Sequence, residues 1–271
     1  MRIALVDSGL GMLSTAAALR AARPDADLVL SMDPDHMPWG PRSPEDVIGR
    51  ALAGARAAMD PPPAAGSDGS PAPRPDAVVV PCNTASVHGL SALRAEFEPD
   101  IPVVGTVPPI KPAAEAGSPI AVWATAATTH SRYQNSLIAS FAPDTAVAQV
   151  ACVGLAEAVE SADRRAVAGA VRRAAERTPG DTTSVVLGCT HYDLVSASIS
   201  AALGPDVPLF TAADAVAAQT LRRIGTFPDR DASPTGSTVV LASGRRAGLP
   251  TAALRYSAGA SLLRSGGAVS S

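Results

Sequence analysis

Two short apolar runs in this chain end in the same way, and together they constrain its fold more than any other feature. Ala77, Val78, Val79 and Val80 lead into Pro81, Cys82, Asn83 and Thr84, while Ser184, Val185, Val186 and Leu187 lead into Gly188, Cys189, Thr190 and His191. A run of this kind bounded by turn formers reads as a strand buried on both faces, as in parallel sheets. The polar, helix-compatible segment after each cysteine completes the opening of a βα unit. The copies lie roughly 100 residues apart, about one domain length, so a pseudo-symmetric chain of two similar α/β domains is expected. In open α/β sheets ligands gather at the carboxyl ends of the strands, which is where both cysteines fall.

The rest of the sequence extends this pattern. Further strand candidates are residues 3–6, 27–32, 103–105, 120–124, 146–150, 207–210 and 238–241, and helical segments include 13–22, 43–59, 86–96, 163–176 and 212–224. Ser43 before Pro44, Glu45 and Asp46 is a strong helix start, with a hydroxyl cap, proline in the first turn and acids at the positive end of the dipole. Such alternation gives mostly parallel sheets flanked by helices. The first domain is expected to take residues 1–102 and 212–271 and the second 103–211, with the active site in the cleft between them. Residues 60–76, rich in Pro, Gly and Ser, read as an exposed loop, and residues 265–271 as a frayed end.

Composition then excludes several functions. With 46% hydrophobic and 17% charged residues the chain has an ordinary globular make-up, and with 3% aromatics its core must be built from Ala, Val, Leu and Ile. A formal net charge of −3 and the absence of any basic block exclude nucleic acid as an expected partner. The first apolar run is broken by Asp7, and no stretch approaches the roughly 20 apolar residues of a membrane span, so no membrane association and a cytoplasmic location are expected. Cys82, Cys152 and Cys189 are an odd number without C-x-x-C spacing, and His36, His88, His130 and His191 are scattered. Neither a disulfide framework nor a metal site is expected.

A cysteine at a strand end just before a helix lies near unpaired N–H groups that favour the thiolate. Two in matching polar contexts make a candidate acid/base pair, whereas any single one is equally well read as a small buried apolar residue. Cys152, between Ala151 and Val153, is read as structural. Asp7 and Ser8 put a carboxylate and a hydroxyl at the same sheet edge, and Gly9 and Gly11 let the backbone turn into the next helix. The glycines lack G-x-G-x-x-G spacing, so a nucleotide loop is the weaker reading. Plain helix capping is the competing role for Asp7 and Ser8. For His191 it is a capping or surface histidine, and for Glu160 a solvated acid at a helix junction.

These residues together resemble the glutamate racemase family of the aspartate/glutamate racemase superfamily. Asp7-Ser8-Gly9-Leu10-Gly11 is similar to its amino-terminal D-S-G-x-G, Pro38-Trp39-Gly40-Pro41-Arg42 to its P-Y-G-x-R, and Cys82-Asn83-Thr84-Ala85-Ser86 to its first cysteine motif. Thr125 and Thr128 resemble its T-x-x-T, Val159-Glu160-Ser161 its acidic segment, and Gly188-Cys189-Thr190-His191-Tyr192 its second cysteine motif. The resemblance implies a cofactor-independent racemase in which Cys82 and Cys189 act as acid and base on opposite faces of the substrate Cα. It implies Asp7 as the helper of Cys82, and His191 with Glu160 as helpers of Cys189. Substrate contacts would come from Asp7, Ser8, Pro38, Trp39, Gly40, Asn83, Thr84, Thr125, Thr128, Thr190 and His191. The implied substrate is a small acidic amino acid, and the implied role is D-glutamate supply for cell-wall peptidoglycan. The expected assembly is a homodimer.

Four departures fall outside the proton-transfer residues, one of them the Pro-rich stretch 60–76, which looks like an insertion. Trp39 stands where the family has tyrosine, exchanging a phenol hydroxyl for a bulkier indole with one N–H donor. Met12 replaces a glycine, and Asp193 follows Tyr192 where proline is common. Reaction type is therefore better determined than substrate. The competing readings are a racemase of aspartate or a related amino acid, and a non-catalytic bilobal protein that grips an amino acid without inverting it.

Overall fold

In the computed structural model, which describes residues 1–63 and 72–264, the chain alternates strands and helices nearly throughout. It begins β1 (Arg2–Asp7), α1 (Leu13–Ala22), β2 (Asp27–Met32), α2 (Pro44–Met59), β3 (Ala77–Val80), α3 (Asn83–His88), α4 (Leu90–Phe97) and β4 (Val103–Gly105). It continues α5 (Ile110–Ala116), β5 (Ile120–Ala124), α6 (Arg132–Phe141), β6 (Val147–Ala151), α7 (Leu155–Glu160), α8 (Arg164–Ala175), β7 (Ser184–Leu187), α9 (Thr190–Asp193), α10 (Ser196–Leu203) and β8 (Leu209–Phe210). A return segment supplies α11 (Ala213–Arg223), β9 (Thr238–Ala242), β10 (Arg245–Ala247) and α12 (Ser257–Arg264). Of the loop expected over 60–76, residues 60–63 and 72–76 carry no helix or strand and residues 64–71 lie outside the described residues, as does the expected frayed end at 265–271.

Two compact units result, one from Met1–Thr106 with the chain from Ala213 onward, the other from Val107–Ala212. The boundary expected between residues 102 and 103 therefore moves four residues later. The reason is pairing: Val103, Val104 and Gly105 lie in register with Val78, Val79 and Val80 as the edge of the first sheet.

The first unit's sheet runs β10-β9-β2-β1-β3-β4 and the second unit's runs β6-β5-β7-β8. All pairings are parallel except that of β9 with β10. Each unit thus repeats one arrangement, in which its first strand lies between its second and third. The chain winds outward one way from that strand and then the other, opening a crevice at the strand carboxyl ends where the winding reverses. β1 ends in Asp7 and β3 runs on through Pro81 into Cys82; β5 runs into Thr125 and β7 through Gly188 into Cys189. Both cysteine motifs occupy the same topological position in their own units.

Local sequence explains the elements. β3 and β7 are wholly buried, as four consecutive apolar or small residues require. The Ser43 hydroxyl accepts from the Asp46 N–H at 3.2 Å to start α2. The Asp163 carboxylate accepts from Arg165 and Ala166 at 2.9 and 3.0 Å to start α8. The helix expected over 86–96 is instead two, α3 beginning directly after Cys82 and α4 after Gly89. Gly89 permits the break: a Cβ there would lie 3.1 Å from the Ala85 carbonyl oxygen. β10 has no strand-like sequence. It is an arginine-bearing edge made by the hairpin turn at Ser243 and Gly244, whose φ values of 47° and 81° suit a tight two-residue connection.

The return segment is fastened through Arg20 on α1, a guanidinium only 3% exposed. It donates to the carbonyls of Gly236, Ser237 at 2.7 Å and Pro24 at 3.3 Å, and to the Thr238 hydroxyl at 3.1 Å. These groups lie where β9 enters the sheet, so removing the cation strips several acceptors at once. Arg20→Met is expected to cost roughly 3 kcal/mol of stability in urea unfolding, the scale of stranding buried acceptors. A loss under 1 kcal/mol would show that Arg20 does not hold the return segment.

Candidate active site

In the first unit, Asp7 and Ser8 are both buried. The Asp7 Oδ1 accepts from the Ser8 N–H at 2.6 Å and from its hydroxyl at 3.3 Å, so these bonds stay within the pair and do not cap the helical turn that follows. Asp7 is paired in register with Met32, and β1 with β3 as far as Leu5 opposite Val79. Continuing that register puts Asp7 beside Pro81, one residue short of Cys82. Cys82 is the N-cap of α3, and Asn83 and Thr84 are its first residues. Ser86 fixes this turn: its hydroxyl donates to the Val80 carbonyl and accepts from the Thr106 N–H, each at 2.9 Å.

The second unit holds a more completely defined group. Gly188 lets Cys189 sit where it does, because a Cβ at 188 would come within 2.9 Å of the Trp123 carbonyl oxygen on β5. The Cys189 Sγ lies 3.9 Å from the His191 Nδ1, and the His191 Nε2 lies 2.8 Å from the Glu160 Oε2 at the end of α7. His191 is buried, not at the surface, and the Glu160 side chain is 19% exposed, so neither behaves as a solvated group. With Nε2–H donated to Glu160, Nδ1 faces the sulfur as acceptor for a thiol proton. Once protonated, the same ring donates to the thiolate while the carboxylate balances its charge. Thr125 and Thr128 hydrogen-bond through their hydroxyls at 3.0 Å, and Thr190 opens α9 beside Cys189.

Cys152 is different. Its sulfur is enclosed, donating to the Val150 carbonyl at 3.6 Å, and burial, with a smaller contribution from Cys189, pushes its thiol far above the ordinary range. It remains a thiol.

The Pro38–Trp39–Gly40 segment is held from β2. Pro38 and Gly40 are exposed, while Trp39 is buried and its indole N–H donates to the Asp33 Oδ2 at 3.1 Å. The same carboxylate takes the Ser243 hydroxyl at 2.7 Å and the His36 Nδ1 at 2.9 Å, with an Arg50 guanidinium nitrogen 3.6 Å away. Arg42 donates to the His36 carbonyl at 2.6 Å and to Asp46 at 2.9 Å, bracing the loop from its other end. A cavity of about 150 Å³ opens here, lined among others by Asp7, Ser31, Asp33, Trp39, Arg50 and Ser243. Asp33 and Ser243 carry no motif in the sequence; the one signal is that Asp33 directly follows a strand at the edge that also bears Asp7 and Cys82. Among the described residues no group of three or more His, Cys, Asp or Glu converges to hold a metal, and no helix is long and apolar enough to cross a membrane.

A sequence profile of the family described as Asp/Glu/Hydantoin racemase matches residues 8–220. The glutamate racemase of Pseudomonas syringae pv. tomato is 33% identical over 227 residues, covering 81% of this chain and 77% of its own. The crystal structure of Escherichia coli glutamate racemase, in complex with L-glutamate and the activator UDP-MurNAc-ala, superposes with a TM-score of 0.76 at 26% identity, covering 98% of this chain and 95% of that one. Glutamate racemase from Thermus thermophilus, in complex with beta-chloro-D-alanine, gives 0.64 at 29% identity over 97% and 92%.

The three thiols differ enough to be told apart chemically. With iodoacetamide at pH 7.5, Cys189, the most accessible, is expected to be alkylated first and Cys152 to stay unmodified in the folded protein, as mapped by peptide mass spectrometry. Labelling of Cys152 as fast as Cys189 would contradict its assignment as an enclosed, protonated thiol.

Proposed function

This chain belongs to the Asp/Glu/Hydantoin racemase family, and on that premise we propose that it is a glutamate racemase working by two-base proton transfer at Cα. The observation that carries the proposal is the Cys189, His191, Glu160 relay, a thiol poised against an imidazole that is itself anchored by a carboxylate. Cys82, with Asp7 at the neighbouring strand end, is the second base.

In one direction the Cys189 thiolate takes the Cα proton and the electron pair delocalises into the α-carboxylate. The Cys82 thiol then delivers its proton to the opposite face. Configuration inverts, and the two cysteines finish with exchanged protonation states, ready for the reverse turnover. The carboxylate gains charge as the proton leaves, so donors that meet it are worth most in the transition state. Asn83, Thr84 and Thr190, each at the start of a helix that follows a cysteine, fit that part, with Thr125 and Thr128 completing the polar lining. Ser8, Pro38, Trp39 and Gly40 are assigned to the distal end of a small acidic substrate.

The chemistry calls for no pyridoxal phosphate, which is carried on a lysine Schiff base. The sequence has a single lysine, Lys111, and it lies on α5, largely exposed and 3.8 Å from Glu115. A second reading, racemisation of a shorter acidic amino acid such as aspartate, is favoured by the bulk of Trp39. Turnover of a free amino acid fits a cytoplasmic location and, for D-glutamate, supply to peptidoglycan.

Chiral chromatography in deuterium oxide tests both readings. L- and D-glutamate are each expected to approach a racemic mixture with deuterium at Cα, in protein dialysed against chelator and without added pyridoxal phosphate. Faster exchange of aspartate would move the assignment to the second reading. Absence of Cα exchange with every acidic amino acid would leave only the non-catalytic binding protein.

A further inference from the structure

We propose that Asp33 is a positioning residue for substrate selection, fixing the indole of Trp39 so that the 38–40 segment presents the substrate with an apolar wall and no side-chain donor. The proposal rests on the reading above that this segment faces the substrate. It adds a residue to those named in the sequence analysis and a consequence of having Trp39 where the family has tyrosine.

Several polar groups converge on one carboxylate. Asp33 directly follows β2, and its two oxygens receive hydrogen bonds from Ser243 and His36 on one side and Trp39 on the other. Arg50, on α2, adds its charge at 3.6 Å. The Asp33 side chain is 14% exposed, so these contacts replace water instead of competing with it. Burial pushes its carboxyl up, but the bonds from His36, Ser243 and Trp39 outweigh burial and leave it below the usual carboxylate range. The ionised form is the one that all of them recognise.

Ser243 adopts φ of 47°, a left-handed conformation that costs a non-glycine residue energy unless its surroundings fix it. Its N–H donates to the Met32 carbonyl at 2.8 Å, and its hydroxyl both donates to Asp33 and accepts from the Asp35 N–H at 3.2 Å. The β9–β10 turn is therefore docked on the segment that carries Asp33, and Trp39 is held by the same carboxylate. An indole has a single donor. Because that donor is spent on Asp33, what Trp39 offers elsewhere is ring carbon. A tyrosine at 39 has a hydroxyl at the far end of its ring, whereas here the only polar atom is turned inward.

Releasing the indole should loosen substrate binding more than it slows proton transfer. Asp33→Ala is expected to raise KM for glutamate about tenfold with kcat changed less than about threefold, the pattern of a lost binding wall. Tryptophan emission should shift to the red at the same time. The other tryptophan, Trp123, is fully buried in the second unit, with its N–H on Thr178, so the shift reports Trp39. Asp33→Asn serves if the alanine variant does not fold: its size is kept and one oxygen still accepts from Ser243. In a Trp39→Phe background, where there is no N–H to hold, Asp33→Asn should add less than about twofold to KM.

A raised KM with red-shifted emission, absent in the phenylalanine background, supports the proposal. Unchanged KM with red-shifted emission overturns it by showing that Asp33 holds Trp39 but the segment does not line the substrate site. Unchanged emission overturns it differently, since Asp33 would then not be what holds the indole. The emission arm needs no turnover, so a failure of the racemase reading itself is separable from a failure of the clamp.

Discussion

Placement of each unit's first strand between its second and third is the constraint on which the rest depends. β5 and the Ile3–Val6 stretch of β1 are buried apolar runs, and parallel partners on both sides force the chain to reverse its winding there. Where it reverses, the strand ends are uncovered by crossover helices, and polar side chains can collect without stranding buried backbone groups. Asp7 with Cys82, and Thr125 with Cys189, are the residues that the two units place at that point. Had either cysteine followed an outer strand, its thiol would meet solvent or helix instead of the strand end that carries a partner.

The units repeat a topology but not a chemistry. Cys189 has an imidazole at 3.9 Å and a carboxylate behind it, a relay that can accept or donate a proton with little motion. Cys82 stands beside β1, whose last residue is the buried carboxylate of Asp7, and the turn that holds it is fixed by Ser86. Under the proposed mechanism such asymmetry suits a reaction whose two directions begin from different enantiomers, because each thiol would serve as base in one direction and acid in the other. Cys152 differs from Cys189 in its surroundings: it is enclosed and kept protonated.

Much of this is legible in the sequence, for a physical reason. Strands 27–32, 77–80, 103–105, 120–124 and 184–187 coincide with the expectation residue for residue, since a short apolar run bounded by Pro, Gly or Asp has nowhere else to start or stop. The proximity of Cys189 and His191 follows from two residues' separation, and Glu160 from the motif order. Illegible are features made by distant partners. β10 carries Arg245 and Arg246 and is a strand only because the turn at Ser243 and Gly244 returns it to β9. Asp33 reads as part of a turn, and one of its partners, Ser243, lies 210 positions later. The helix after Cys82 starts at Asn83, earlier than expected, in a turn whose Ser86 hydroxyl bonds Val80 and Thr106, contacts that local propensity does not report.

Elimination from a β-chloro substrate tests most directly the proposal that two thiols serve opposite faces of one carbon. With β-chloroglutamate, removal of the Cα proton expels chloride from Cβ, and the enamine hydrolyses to 2-oxoglutarate and ammonia, so proton abstraction alone is scored without reprotonation. Binding of the analogue is first established by competition with glutamate. Cys82→Ser and Cys189→Ser are each expected to lose racemisation and to retain elimination from one enantiomer only, with the two variants choosing opposite enantiomers. Elimination from the same enantiomer by both variants, or full racemisation by either, would contradict the two-base mechanism.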